Sequence, residues 1–139
     1  MTGVKAYLWQ VRKYTALINA KKRQLDRLRR ERTYLSGVRY DRDRVQGGSP
    51  DPNRQSDKLL DLELEISRAV ENAATVQNQI IREIGMLERV EYVDLLIYRY
   101  VDGMSFERIG EVMGYSYGRV THLHGEALQA FGRIKGFNE

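Results

Sequence analysis

Apolar residues recur through the first quarter of the chain at alternating steps of three and four. With Val4 as heptad position a, the a positions are Val4, Val11, Ile18, Leu25 and Arg32, and the d positions are Tyr7, Tyr14, Lys21, Leu28 and Leu35. Only Lys21 and Arg32 are polar, and no Pro or Gly interrupts Val4 to Ser36. The pattern predicts one long amphipathic helix of coiled-coil type. Lys21 and Arg32 either fix the register of that seam or mark where it meets solvent.

Gly37 is a helix-stop signal. From there to Ser56 the chain carries both of its prolines, Pro50 and Pro52, and the Gly47-Gly48 pair, which predicts a long loop over 37–56. Loops of that length are uncommon in compact domains and are often functional. Ser56 or Asp57 can cap a second helix, whose seam reads Leu59, Leu62, Ile66, Ala69, Ala73, Val76, Ile80, Ile84 and Leu87 and ends near Leu87 or Val90. Two long helices joined by one loop imply an antiparallel hairpin over 1–90.

The pattern changes after residue 90. Tyr92, Leu95, Leu96, Tyr98 and Val101 predict a short helix ended by Asp102-Gly103. Ser105 caps a second through Met113, Gly114 ends it, and Ser116 caps a third reaching about Phe131. The expected fold is therefore all-α: a long antiparallel helical hairpin over 1–90, serving oligomerisation, then a C-terminal helix-turn-helix domain over 91–139.

Composition narrows the chemistry. Cys is absent, which excludes disulfides and thiolate metal sites, and the chain has only two His. No apolar run exceeds four residues, too short for a membrane span or a signal-peptide core, so a cytoplasmic location is the default expectation. The net charge is +4, unevenly placed. Residues 1–36 hold ten Lys/Arg against two Asp/Glu, whereas 91–139 hold five against seven. A polyanionic partner fits this balance, with the basic surface mainly N-terminal.

Phe106 to Gly125 satisfies the spacing of a helix-turn-helix. Ile109, Met113, Val120 and Leu123 occupy its apolar positions, Gly110 its small position and Gly114 its turn. A side chain at Gly110 is expected to collide with the second helix, and Gly114 to take a left-handed backbone. In DNA-binding versions the second helix enters the major groove N-terminus first. Its exposed early positions make Ser116, Tyr117, Arg119, Thr121 and His122 the candidate DNA contacts. Arg119 can read guanine with two hydrogen bonds, Thr121 a thymine methyl or a phosphate, and Ser116 with the helix amides a phosphate. Alternatively, Tyr117 packs on the preceding helix and Arg119 pairs with a nearby carboxylate. His122 and His124, two apart, fall on different helix faces and do not form a metal pair. Glu107, Glu111 and Glu126 would have to face away from a duplex.

Lys21 to Arg32 holds seven Lys/Arg in twelve residues, making Lys21, Lys22, Arg23, Arg27 and Arg30 candidate phosphate contacts. The same run also reads as a solvated face with Asp26–Arg30 and Arg27–Glu31 pairs at i,i+4.

The segment from Leu95 to Ser105, with Ile109 to Met113, Ser116 to Val120 and His124 to Leu128, resembles sigma factor region 4. It shares an arginine–aromatic pair, a Ser-capped helix, a Ser-x-x-x-Val run and an Ala-Leu pair. Nearly the whole chain, including Arg44-Val45-Gln46, resembles a family of sigma factor region 4-like transcriptional regulators encoded in phages and prophages of Gram-positive bacteria. The resemblance implies a phage regulator whose C-terminal module reads promoter DNA and touches RNA polymerase. Sigma factors also carry region 2, in whose place residues 1–90 read as a heptad hairpin, so a regulator is expected rather than a stand-alone sigma factor.

The expected function is thus a sequence-specific regulator bound to double-stranded DNA. The alternatives are a small terminase-like DNA-packaging subunit and a coiled-coil adaptor that binds RNA polymerase without DNA. A homodimer is expected, because Tyr7 with Leu8 and the stripe Leu59, Leu60, Leu62, Leu64 and Ile66 are wider than one partner helix covers; the C-terminal helices folding back within one chain would cover them instead. No catalytic spacing of Ser, His and carboxylates and no phosphate-binding Gly loop is present, so no enzyme, cofactor or metal is expected.

Overall fold

The computed structural model describes residues 2–42 and 52–137. All its regular secondary structure is helical: α1 (Thr2–Arg42), α2 (Pro52–Ile84), α3 (Val90–Leu96), a π-helical segment (Ile97–Val101), α4 (Phe106–Met113) and α5 (Tyr117–Lys135). Among the described residues, no helix is long and apolar enough to cross a membrane.

The long helices extend further than their punctuation suggests. Gly37 does not stop α1, which continues to Arg42, and α2 begins at Pro52 rather than Ser56. The predicted loop over 37–56 is therefore helical at both edges. One Gly costs a helix about 1 kcal/mol, too little to end it against continuing hydrogen bonds. Pro at the first helical position loses an N–H that has no intrahelical partner anyway. Arg44-Val45-Gln46, Gly47-Gly48 and Pro50 lie outside the described residues, as does the Leu35 side chain.

The chain divides into two compact units. The first comprises Met1–Thr15 and Thr75–Glu139, the second Ala16–Ala74. The start of α1 and the end of α2 thus share a unit with the C-terminal helices, where the sequence pattern places its boundary at 90/91.

In the first unit Val4, Leu8 and Val11 form a buried i, i+4, i+7 row. They join Ile80, Ile84, Leu87, Leu95, Leu96, Tyr100, Ile109, Val120, Leu123, Ala127, Leu128 and Phe131 in one core. Gly132 lets α5 approach α1 closely, since a Cβ there would stand 3.3 Å from Val4 Cγ2. Tyr7 packs on Phe131 and Phe137, with ring centroids 5.9 and 5.6 Å apart. The flank of Tyr7 and Leu8 is therefore covered by the C-terminal helix of the same chain. A further tie is polar: Glu83 accepts hydrogen bonds from Tyr7 Oη and from Lys135 Nζ, the latter at 2.5 Å. α5 closes with Gly136 at φ 74°, and the Phe137 N–H returns to the Gly132 carbonyl at 2.9 Å.

The second unit has a sparser interior. Ile66 and Ala73 are buried, and so is Glu63, while Ile18, Leu25 and Leu28 are half-buried. Arg32 Nη1 lies 3.0 Å from Glu63 Oε1, an ion pair without hydrogen-bond alignment, and Arg29 Nε lies 3.9 Å from Oε2.

The inward row of α2 is thus Glu63, Ile66, Val70, Ala73, Gln77, Ile80 and Ile84, all buried or half-buried, with Leu87 buried just beyond its end. Leu62 and Val76, assigned to the seam by hydrophobicity, are exposed. Polar side chains hold the two adjacent places because each has a partner. Glu63 has Arg32, and Gln77 Nε2 donates to Val11 O at 3.2 Å and to Thr15 Oγ1 at 2.5 Å. A partnered polar residue in an apolar seam fixes register at some expense in stability.

The predicted single helix over Tyr92–Val101 changes winding at Ile97. Asp102 N–H bonds Ile97 O at 2.9 Å, five residues back, and Gly103 at φ 71° ends the segment. Arg12 sits against that end: its Nη1 lies 3.4 Å from Val101 O, and a Cβ on Gly103 would fall 2.5 Å from the Arg12 Cζ. A cation at the carbonyl end of a helix is favourable.

Candidate nucleic-acid interface

α4 and α5 are joined by three residues, Gly114, Tyr115 and Ser116. The Ser105 and Ser116 hydroxyls accept from the amides of Arg108 and Arg119, each at 3.1 Å, and so cap the two helices as their positions suggest. Gly114 takes the left-handed backbone at φ 76°. Gly110 is needed for a different contact from the one expected. A Cβ there would stand 2.7 Å from the Tyr115 carbonyl oxygen, in the turn itself, and only 3.6 Å from Val120 of α5. The turn folds so tightly back over α4 because Gly114 and Tyr115 both donate their N–H to the Gly110 carbonyl, at 2.8 and 2.9 Å.

One face of α5 is buried through Val120, Leu123, His124, Ala127, Leu128 and Phe131. The opposite face of its first turns carries the candidate contacts. Ser116, Tyr117, Arg119 and His122 are exposed and Thr121 is half-buried. The Arg119 guanidinium lies over the Tyr115 ring, 4.2 Å from its centroid, and among the described residues no carboxylate lies within ion-pair distance of it. Tyr117 meets Phe106 edge-on at 6.3 Å yet remains 55% exposed. Thr121 Oγ1 donates to Gly118 O at 2.9 Å. His122 Nε2 lies 2.8 Å from Glu126 Oε1.

Glu91, Glu111 and Glu126 of this unit each have a polar partner. Glu126 also accepts from Tyr92 Oη at 2.7 Å and has Arg89 Nη1 at 3.8 Å. The Tyr92 hydrogen bond, aided by the His122 and Arg89 charges, holds the Glu126 carboxyl below its ordinary range. Glu111 pairs with Arg108 at 2.9 Å, and Glu91 with Arg89.

Comparison with protein-family models, curated proteins and solved structures finds no match to this chain.

Lys22, Arg23, Arg27 and Arg30 are exposed and Lys21 is half-buried. All five belong to the second unit, whereas the α5 residues belong to the first. Tyr115, which supports Arg119, and Glu126, which engages His122, were not singled out by spacing. Both are four residues from their partners, a usable signal, but Tyr115 lies outside the helix where that rule applies. His122 and His124 do face apart: the first is exposed and the second is 8% exposed.

Proposed function

We propose that this chain is a sequence-specific transcriptional regulator that binds double-stranded DNA. In this reading α4, the turn and α5 act as a helix-turn-helix related to sigma factor region 4, and the sequence resemblance points to a phage origin. The observation that carries it is the solvent-facing first turns of a Ser116-capped helix, with Arg119 braced by Tyr115 and not neutralised by a carboxylate. Such a guanidinium retains its donors for a guanine edge or a phosphate. The helix N-terminus adds amides for a backbone phosphate. In the same reading Lys21, Lys22, Arg23, Arg27 and Arg30 add sequence-independent attraction.

We further propose that α1 and α2 form an antiparallel hairpin that pairs with a second copy. The exposed Leu60, Leu62 and Leu64 of the second unit support this, because apolar rows left in water favour association.

Selection of bound duplexes from a random DNA pool tests the function. Enrichment of one motif, retarded at low salt and protected in the major groove, is the expected result. Retardation of all sequences alike would reduce the chain to a non-specific DNA binder, and capture of RNA polymerase without any retardation would favour the adaptor.

A further inference from the structure

A cleft of about 370 Å³ opens in the first unit. Its lining includes Lys5 and Trp9 of α1, Arg99 and Tyr100 of the π segment, Phe106 of α4 and His124 of α5. The walls are aromatic and mutually braced. Trp9 meets Tyr100 edge-on at 5.6 Å, and Phe106 meets His124 at 5.0 Å. The Arg99 guanidinium lies 4.4 Å from the Phe106 ring centroid and 5.7 Å from that of Trp9, and one of its nitrogens donates to Met104 O at 2.9 Å. Trp9 nevertheless remains 42% exposed.

The charge of this cleft is one-sided. Among the described residues no Asp or Glu lines it, and neither Lys5 nor Arg99 has a carboxylate within ion-pair distance. Burial first, and then the Lys5 and Arg99 charges, lower the His124 pKa to about 4, so an imidazolium does not form there at neutral pH. Two cations thus line a neutral, aromatic floor without a counter-ion among the described residues. Arg99 and Tyr100, both of the π-helical segment Ile97–Val101, line this wall, and π insertions recur at functional sites.

We propose that the cleft binds a small aromatic carboxylate. The ring lies against the exposed indole of Trp9, and the carboxylate pairs with Lys5 and Arg99. The volume stands near the lower end of small-molecule sites, roughly 300–1,000 Å³, which suits one ring and its acid group rather than a helix or a folded segment. The inference does not depend on DNA binding by α5.

Trp9 is the only Trp in the chain, so its indole N–H gives one reporter resonance in a nitrogen–proton correlation spectrum of the full-length protein. Phenylacetate is the probe, with 2-phenylethanol as its uncharged counterpart and inorganic phosphate as an anion without a ring. Phenylacetate is expected to shift the Trp9 resonance saturably. 2-Phenylethanol is expected to bind at least about tenfold more weakly, the loss of one charge-assisted hydrogen bond. Phosphate is expected to leave the resonance in place. Phenylacetate is also expected to raise the His124 pKa, by supplying the missing negative charge. Lys5→Glu is an exposed substitution that keeps the fold, checked by the dispersion of the same spectrum, and is expected to abolish the phenylacetate shift. Equal binding of the alcohol and the acid, an equal response to phosphate, no response to phenylacetate, or unchanged affinity in Lys5→Glu would each overturn the proposal.

Discussion

The Tyr100 hydroxyl lies 2.8 Å from His124 Nε2, inside the core of the first unit. Burial pushes the Tyr100 pKa up to about 12 and lowers that of His124 to about 4, so at neutral pH the phenol keeps its proton and shares a hydrogen bond with an uncharged imidazole. The unfolded chain takes up a proton at His124 near pH 6.5, whereas the folded chain does so only near pH 4. The unfolded state therefore binds more protons between those values, and stability falls as pH drops from 6.5 to 4. Urea titrations across that window should show the decline, and His124→Leu should remove its share. Tyr100→Phe leaves Nε2 buried without that partner and should cost about 1–3 kcal/mol at pH 7.

Glu83 should add a second acid-sensitive component at lower pH. Burial opposes its ionisation, but the hydrogen bonds from Lys135 and Tyr7 outweigh that and hold the carboxyl below its ordinary value. A carboxyl lowered on folding stabilises above its unfolded pKa and loses that contribution as pH falls through the folded one. Glu83→Gln is expected to lower stability by about 1–3 kcal/mol at neutral pH. A double-mutant cycle with Lys135→Met measures the coupling between α2 and α5, and a value of zero would show that the tie is inert.

Gly110→Ala places a methyl group 2.7 Å from the Tyr115 carbonyl oxygen, which belongs to backbone and cannot rotate away. A loss of about 1–3 kcal/mol is expected, by overpacking. Gly125→Ala is the control. A Cβ there meets nothing within 4 Å, and the position is helical, so stability should rise by about 0.5–1 kcal/mol. Thermal melts of the two variants should therefore move in opposite directions.

Arg119→Ala should weaken binding to the selected DNA site by about 1–3 kcal/mol and relax the preference at one base. Charge removal at Lys21, Lys22, Arg23, Arg27 and Arg30 should instead weaken all sequences alike and flatten the salt dependence. Quantitative binding at several salt concentrations separates the two effects. Unchanged affinity and specificity in Arg119→Ala would mean that another face of the protein meets DNA.

Self-association should depend on the second unit, since the Tyr7–Leu8 flank in the first is already covered by Phe131 and Phe137. Sedimentation at micromolar concentrations is expected to give a dimer mass, and Leu62→Lys with Leu64→Lys a monomer that keeps its helical spectrum. A wild-type chain monomeric at all concentrations would refute the paired-hairpin reading.

The helical class, the caps at Ser105 and Ser116 and the left-handed Gly114 were legible in the sequence because each depends on residues at most a few positions apart. Hydrophobic period reports which face of a helix is apolar, and Val4, Val11, Ile66, Ala73, Ile80 and Ile84 accordingly lie inside. Local pattern could not show that Glu63 and Gln77 take inward places while Leu62 and Val76 face solvent. That exchange depends on Arg32, which pairs the Glu63 charge, and on Thr15 and the Val11 carbonyl, which hydrogen-bond Gln77, 31 to 66 residues away in the chain. The π winding at Ile97, the Arg12 contact at Gly103 and the neutral His124 have the same origin. Sequence sets what each segment prefers by itself, whereas desolvation and hydrogen-bond satisfaction are settled only when distant segments meet.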